Sequence, residues 1–222
     1  MSLPTPQYKL SALRNGEVYE PAEDTFLLID AIEKDIKVGV FPTNLEIGRI
    51  FQDIRSRQPQ IVLEIGCGSG VVSTFVNQAL HRKVVSIATD VNAKALECSL
   101  ETARMNGVNL EVIRSDLDQG LQRLQGKVDL LLFNPPYVPT SEEAKSNIER
   151  CWAGGPSGRS TLDRLLPRVP DLLSPKGVFY LVALHANDIP SLLRFSDHLK
   201  GNVSMERRCG IEHLYILRFV RI

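Results

Sequence analysis

The sequence predicts an α/β fold, a doubly wound and mostly parallel seven-stranded sheet with an antiparallel C-terminal hairpin. Short apolar runs rich in β-branched residues, typical of strands buried on both faces, alternate with amphipathic stretches of helical length. The predicted parallel strands are 61–65, 84–90, 110–113, 128–133 and 178–184. Such alternation gives right-handed crossovers, so a ligand is expected beyond the carboxyl ends of these strands.

The segments between the predicted strands have the spacing of helices. Residues 70–81, 92–107 and 160–173 carry apolar side chains at helical intervals, with Asn92 as an expected N-cap. Near the C-terminus, the runs 203–209 and 213–220 are separated by only three residues. Because a parallel crossover needs a longer connection, these two runs are predicted to form the antiparallel hairpin.

The chain is expected to form a single domain over residues 1–222, with residues 1–60 as an N-terminal helical lid and linker and 61–222 as the catalytic core. An amphipathic helix is predicted to begin near Pro21, with acidic Glu20, Glu23 and Asp24 at its positive end. We expect this helix to pack over the active site. The following segment, 37–60, predicts another short helix and a polar link.

Composition narrows the classes of function. Lys plus Arg and Asp plus Glu both number 26, so no bulk charge attracts nucleic acid or an anionic membrane. No apolar stretch approaches the ~20 residues of a membrane span. The four cysteines and four histidines lack metal-ligand spacing, so no metal site is expected. Reduced thiols indicate a cytoplasmic or nuclear location.

A glycine-rich loop follows the first predicted strand. Gly66, Gly68 and Gly70 lie between that strand and a helix, the place where a nucleotide-type ligand approaches backbone. The last glycine comes one residue too early for a dinucleotide fingerprint, which disfavours a pyrophosphate. Glu64 puts a carboxylate beside the loop, and a carboxylate suits a ligand with an ammonium group. S-adenosylmethionine is such a ligand.

Two more strand ends complete this predicted cofactor site. Asp90, at the end of the second strand, can accept hydrogen bonds from both hydroxyls of a ribose. Asp116, after the third strand, can accept from an adenine amine, with Leu117 against the ring. Each residue alone also has an ordinary explanation, such as a helix cap, but the three strand ends together predict a methyl-donor site.

The fourth strand ends in the sequence "NPPY", residues 134–137. The prolines fix the backbone and supply no N–H, so the carbonyls of Asn134 and Pro135 and the Asn134 side-chain oxygen are expected to accept from an NH₂ group. Tyr137 is expected to stack on a planar acceptor. The pattern therefore predicts methylation of a conjugated nitrogen, in either an amide or the exocyclic amine of a base, with Asn134, Pro135 and Tyr137 as the catalytic residues.

Several stretches carry a family resemblance, among them "VYEPAEDTFLLIDAI", "LEIGCGSGVVS", "ATDVN", "VDLLLFNPPYV" and "WAGGPSGRSTLDR". They resemble HemK-type class I S-adenosylmethionine-dependent methyltransferases, specifically the eukaryotic and archaeal branch. That branch methylates the glutamine of the Gly-Gly-Gln motif in translation release factors. The resemblance implies that the cofactor is contacted by Thr25, Glu64, Gly66, Asp90, Asp116, Leu117 and Asn134. It also implies that Asn134, Pro135, Pro136 and Tyr137 bind the substrate glutamine, and that S-adenosylhomocysteine is the product.

The resemblance implies a partner as well, a small zinc-binding activator protein shared by several methyltransferases, and hence a heterodimer. The predicted strand near Leu110–Ile113 lies at the open edge of this fold. An apolar edge strand is a liability unless another chain covers it, so we expect the activator to add a strand there.

Other readings remain open from the residues alone. The same "NPPY" chemistry serves adenine methyltransferases acting on DNA or RNA, although the zero net charge disfavours a nucleic-acid substrate. Protein lysine methylation is a secondary candidate, and a catalytically silent binding module is a third hypothesis. The glycine-rich stretch "AGGPSGRS", residues 153–160, is interpreted as a substrate-side flap, with a plain surface loop as the alternative.

Overall fold

The computed structural model describes residues 3–9, 13, 16–37, 54–80, 83–142, 144 and 146–222. Its centre is a seven-stranded sheet in the order β3-β2-β1-β4-β5-β7-β6. The strands are β1 (Ile61–Ile65), β2 (Val85–Asp90), β3 (Glu111–Arg114), β4 (Val128–Phe133), β5 (Leu173–Leu184), β6 (Leu199–Cys209) and β7 (Glu212–Arg221). Strands β1 to β5 pair in parallel, and β7 runs antiparallel to both β5 and β6. The predicted sheet and hairpin are confirmed.

Helices precede the sheet and lie between its strands. They are α1 (Glu23–Lys37), α2 (Val71–Leu80), α3 (Ala93–Met105), α4 (Asn147–Arg150), α5 (Leu162–Leu165), α6 (Val169–Leu172) and α7 (Ile189–Leu192). The Asn92 side chain caps α3 by accepting from Lys94 N, as predicted. A 3₁₀ turn at Leu166–Arg168 joins α5 to α6, because Pro167 and Pro170 interrupt regular helical hydrogen bonding.

The centre of the sheet is buried on both faces, and alternate residues of each central strand pack into opposite cores. On β4, Leu130 and Leu132 pack with α1 and α2, whereas Leu131 and Phe133 pack with α5 and α6. All six β4 residues are buried. This explains why the central strands are continuous apolar runs instead of alternating ones.

Helix α1 belongs to the core along most of its length. Leu27, Leu28 and Ile32 are fully buried against the sheet. Near the end of the helix, Asp35 accepts from the buried Tyr180 hydroxyl and pairs with the guanidinium of Arg218 at 3.1 Å. The helix predicted as a lid is therefore anchored to strands β5 and β7, and only its first turn reaches the ligand cavity described below.

Strand β3 occupies one edge of the sheet, as predicted, but it begins at Glu111 and not at Leu110. Leu110 precedes the strand and is buried against Ala88, Leu96 and Ala103 of its own chain. Ile113 is the apolar residue of β3 that faces solvent, with 37% of its surface exposed. The exposed flanks Glu111 and Arg114 also give this edge charges that the prediction overlooked.

Within the described ranges, no helix is long and apolar enough to cross a membrane. The short helix predicted within 37–60 falls mainly on residues 38–53, which lie outside the described residues.

Candidate active site

A cavity of about 420 Å³ lies beyond the carboxyl ends of the parallel strands, where the fold class predicts a ligand. Most of the predicted site residues line it, namely Thr25, Glu64, Gly66, Gly68, Asp90, Asp116, Leu117, Asn134 and Pro136. Pro135 and Tyr137 are buried next to the cavity and do not line it. A shallower groove of about 670 Å³ runs along α3 and contains none of the predicted residues.

The glycine loop closes the floor of the cavity. Gly66 and Gly68 have positive φ, and a Cβ would meet no atom within 4 Å at Gly68 and only the Phe133 ring, at 3.9 Å, at Gly66. Gly70 serves a different purpose, since a Cβ there would lie 2.6 Å from the Cα of Ser99 on α3. Gly66 and Gly68 thus leave room for a ligand, whereas Gly70 allows α3 to pack closely against the loop.

Glu64 is a buried carboxyl on β1. Ser73, in the first turn of α2, donates to Glu64 Oε2 from its backbone N at 3.0 Å and from its hydroxyl. Burial nevertheless raises the pKa of Glu64 to about 8, against 4.5 for an ordinary glutamate. A cationic ligand in the cavity would favour the ionised form of this side chain.

Asp90, at the end of β2, keeps acceptor capacity on both oxygens. One oxygen accepts from Gly68 N at 3.1 Å and the other from Asn92 N at 2.9 Å. Each carboxylate oxygen can accept two hydrogen bonds, so the carboxylate keeps capacity to accept from a ligand. Burial raises the pKa of Asp90, and these backbone donors oppose the shift. The geometry fits a pair of ribose hydroxyls.

Asp116 and Leu117 form the wall next to β3. Asp116 pairs with the guanidinium of Arg164 on α5, a cavity residue that the sequence interpretation did not single out. Leu117 has a φ of 56°, and its carbonyl accepts from the Thr89 hydroxyl at 3.2 Å. This backbone region is uncommon for a non-glycine residue, and such strained positions occur often at functional sites.

Asn134 follows β4 and has a fixed amide. Its Nδ2 donates to Oδ2 of Asp24 at 2.9 Å, which orients the side-chain oxygen away from Asp24. Asn134 Oδ1 is buried and accepts no hydrogen bond from the described residues. A buried polar atom without a partner is uncommon in a folded protein and calls for an explanation, and a donor group of a ligand in the adjoining cavity is one such explanation.

Asp24, in the first turn of α1, holds this arrangement together. The residue is 3% exposed, and its carboxylate also accepts from Thr25 N at 2.7 Å and the Tyr137 hydroxyl at 3.2 Å. The Tyr19 hydroxyl lies 3.4 Å from both carboxylate oxygens. A buried carboxylate needs several donors, and these groups supply them.

Tyr137 occupies a different position from the one predicted. Its ring is buried in the core and its hydroxyl points to Asp24, so it presents no flat face to the cavity. Burial raises the pKa of Tyr137 and the nearby Asp24 carboxylate raises it further, so the phenol remains a donor. The residue supports Asn134 through Asp24, and the predicted stacking role is corrected accordingly. Pro135 is likewise buried behind the cavity wall and shapes the turn.

Asp24 is the main functional candidate that the sequence interpretation missed, because its charge suggested only a favourable helix start. A signal was present, however. Asp24 lies three, four and seven residues before Leu27, Leu28 and Ala31, all of them fully buried. An acidic residue on the apolar stripe of a helix is buried with it and needs partners.

The remaining polar groups of the cavity do not form a metal site. Among the described residues, no group of three His, Cys, Asp or Glu side chains is placed to hold an ion. Cys151 lines the cavity, but burial raises its thiol pKa to about 11. Such a thiol stays protonated and is a poor nucleophile.

Comparison with known proteins agrees with this geometry. The model of the methyltransferase small domain family matches residues 47–205. Methyltransferase HEMK2 of Homo sapiens is 43% identical over 211 residues, which cover 93% of this chain and 91% of that protein. The eRF1 methyltransferase catalytic subunit mtq2 of Schizosaccharomyces pombe is 38% identical over 222 residues, 93% of this chain and 90% of that protein.

Among solved structures, the E. cuniculi Mtq2-Trm112 complex, responsible for methylation of the eRF1 translation termination factor, contains a chain of the same fold. The TM-score is 0.66 at 26% identity, with 93% of this chain and 99% of that chain covered. Sequence, fold and cavity thus agree. The chain is a methyltransferase that belongs to the methyltransferase small domain family, together with HEMK2 and Mtq2.

Proposed function

We propose that the chain transfers a methyl group from S-adenosylmethionine to the side-chain amide nitrogen of the glutamine in the Gly-Gly-Gln motif of a translation release factor. The observation that carries the proposal is the buried, unpartnered Oδ1 of Asn134, whose orientation Asp24 fixes. An amide NH₂ group is the donor that this oxygen lacks. The activity named for Mtq2 of S. pombe supports the same substrate class.

The cavity fits S-adenosylmethionine by the chemistry of its lining. Four carboxyl groups, of Asp24, Glu64, Asp90 and Asp116, face two guanidinium groups, of Arg150 and Arg164. This balance suits a ligand with an ammonium and a sulfonium group. Glu64 and the glycine loop would hold the amino acid end, Asp90 the ribose, and Asp116 with Leu117 the adenine. When bound, the cofactor supplies an electrophilic methyl group.

The acceptor end acts mainly by orientation. A glutamine amide is a poor nucleophile, because its nitrogen lone pair is delocalised into the carbonyl. Asn134 Oδ1 would accept from the substrate N–H, aim the lone pair at the methyl group and stabilise the positive charge that grows on nitrogen. Pro135 and Pro136 have no N–H that could compete with the substrate for this acceptor. No strong base is needed before transfer, because the nitrogen can release its extra proton to solvent after it has been methylated.

An exocyclic adenine amine offers the same NH₂ geometry, so adenine in DNA or RNA is the second candidate substrate. Coarse support for a base amine in RNA comes from the ribosomal RNA small subunit methyltransferase C of Pasteurella multocida, 33% identical over 138 residues, 59% of this chain and 39% of that protein, whose name specifies RNA and not adenine. The relatives matched over nine-tenths of the chain favour glutamine, as does a sequence without net positive charge.

A small activator protein is part of the proposal, since the E. cuniculi structure is a complex of Mtq2 with Trm112. We place the activator, expected to bind zinc, on edge strand β3, where Ile113 is exposed. Ile113→Glu should abolish co-purification with the activator. Val203→Glu is the matched control, because Val203 is similarly exposed at 40% on the opposite edge strand β6. Equal co-purification of both variants would disprove this placement.

A methyl-transfer assay with labelled S-adenosylmethionine tests the function directly. The purified chain, with and without the activator, is offered a release factor, its Gln-to-Ala variant in the Gly-Gly-Gln motif, and adenine-containing DNA. Label should appear only on the unmodified release factor. Label on DNA with none on the factor would overturn the proposal in favour of adenine.

A further inference from the structure

The flap, residues 153–160, pairs with the segment that follows residues 134–137, the "NPPY" sequence, which we call the acceptor motif. Backbone hydrogen bonds join Val138 N to Trp152 O at 2.9 Å, Gly154 N to Val138 O at 2.8 Å, and Thr140 N to Gly155 O at 2.8 Å. Ala153, at the start of the flap, is the one residue of 153–160 that lines the cavity. The position of this wall thus depends on residues 138–140.

Asn187 ties the flap, the acceptor motif and strand β5 together. It follows β5 in a 3₁₀ turn and is 1% exposed. Its Oδ1 accepts from Leu184 N at 2.6 Å. Its Nδ2 donates toward three carbonyls, those of Tyr137 at 2.9 Å, Ser157 at 3.2 Å and Gly158 at 3.3 Å. A single buried amide therefore bridges three separate segments of chain.

Gly158 marks the closest approach of the flap to the motif. A Cβ at this position would lie 2.2 Å from the Tyr137 carbonyl oxygen and 2.4 Å from Asn187 Nδ2. The residue also has a φ of 70°, which disfavours any side chain. The sterics and the hydrogen bonds thus point independently to the same contact.

We propose that Asn187 is a positioning residue for the methyl acceptor, which deepens the proposed function and rests on it. Asn187 holds the Tyr137 carbonyl, and only two prolines separate Tyr137 from Asn134. Because proline fixes φ, a shift at Tyr137 passes to Asn134 with little absorption by the intervening backbone. The same amide sets the flap wall at Ala153. Asn187 therefore aligns both sides of the acceptor pocket without touching the substrate.

The first test compares Asn187→Ala with Asn187→Asp. The aspartate retains an oxygen for Leu184 N but, when ionised, cannot donate to the three carbonyls. Both variants should lose about 10-fold or more in kcat on the release factor, while the Kd for S-adenosylhomocysteine changes less than about 3-fold. If aspartate restores turnover, Asn187 only caps strand β5 and the inference fails.

A second comparison, between two glycine variants, separates loss of the Asn187 contact from misfolding. Gly158→Ala and Gly126→Ala impose the same backbone strain, at φ of 70° and 69°, but only Gly158 has neighbours within 4 Å of the added Cβ. Gly158→Ala should reproduce the loss of turnover of Asn187→Ala, and Gly126→Ala should keep wild-type kcat. Equal kcat in the two glycine variants would refute the positioning role of Asn187.

Hydrogen exchange separates this inference from the proposed function. The amide N–H of Gly154, which donates to Val138 O, and that of Ser160, which donates to Gly154 O, should exchange about 10-fold faster in Asn187→Ala than in the wild type. This holds whatever the substrate is. If the wild type fails to methylate the release factor, the proposed function is wrong. If hydrogen exchange in Asn187→Ala is unchanged, only the positioning role of Asn187 is wrong.

Discussion

Strand β4 carries a buried polar network at each end, and the two networks differ in one respect. At its start, Asp129 accepts from Gln60 N, Ile61 N and the Ser174 hydroxyl, at 2.7, 3.1 and 2.7 Å. At its end, Asn134 donates to Asp24, but its own oxygen has no partner among the described residues. The first network is closed, and the second lacks one donor.

This difference separates a structural role from a chemical one. A closed network has nothing left to offer a ligand, so its value is in stability. An unpartnered buried oxygen costs free energy of folding, and a fold tolerates that cost where a ligand supplies the missing donor. Both networks fix an aspartate between separate segments, yet only the one at the carboxyl end of the strand faces the cavity.

The sharpest test of the open network is Asn134→Ala. Turnover should fall about 10²- to 10³-fold, because the oriented acceptor for the substrate N–H is lost. Cofactor affinity should change much less, and calorimetric titration with S-adenosylhomocysteine measures it. If turnover on the release factor stays within about 3-fold of the wild type, the unpartnered oxygen has no role in the reaction.

The opposite result is expected at the closed end. Asp129→Ala should lower the free energy of unfolding by about 3 kcal/mol, since it leaves two backbone N–H groups and a hydroxyl without their acceptor. Turnover per folded molecule should remain within about 2-fold. Urea denaturation and steady-state assays measure the two quantities. A large loss of kcat in a folded Asp129→Ala protein would contradict the purely structural role of the Asp129 network.

Asp24 joins the open network to α1, so Asp24→Asn should affect orientation more than stability. With an amide at position 24, the Asn134 side chain is no longer held in one orientation, and kcat should fall about 30-fold. Asp30→Asn is the matched control on the same helix, because Asp30 forms an exposed ion pair with Arg207. Equal kcat in both variants would contradict the role of Asp24.

Glu64 extends the comparison to a buried carboxyl whose charge depends on pH. Its pKa is raised to about 8 in the fold, so between about pH 4.5 and 8 the folded state binds more protons than the unfolded state. Stability of the ligand-free protein should therefore fall as pH rises through this window, by about 2 kcal/mol between pH 6 and 8. Glu64→Gln should flatten the dependence, as urea midpoints measure; an identical pH slope would refute the assignment.

The strands, their parallel pairing and the residues that line the cavity at the strand ends were predictable because their signals are local. Buried strands are continuous apolar runs, turns need glycine, and ligand residues follow strand ends directly. Glu64, Asp90 and Asn134 could therefore be found from their places beside strands. Leu110 was placed inside β3, which begins at Glu111, because the apolar run continues across the strand start and does not mark it.

By itself, the sequence determined the sheet, the hairpin, the glycine loop and the identity of the acceptor motif. Only the tertiary structure decided how the acceptor is held. Asp24 meets Asn134 across 110 residues, and Asn187 meets the Tyr137 carbonyl across 50. Tyr137 was free, on sequence grounds, to stack on a substrate, and the fold turned it toward Asp24 instead. The physical reason is that a buried polar group takes the partners that packing brings to it, and local spacing does not encode those partners.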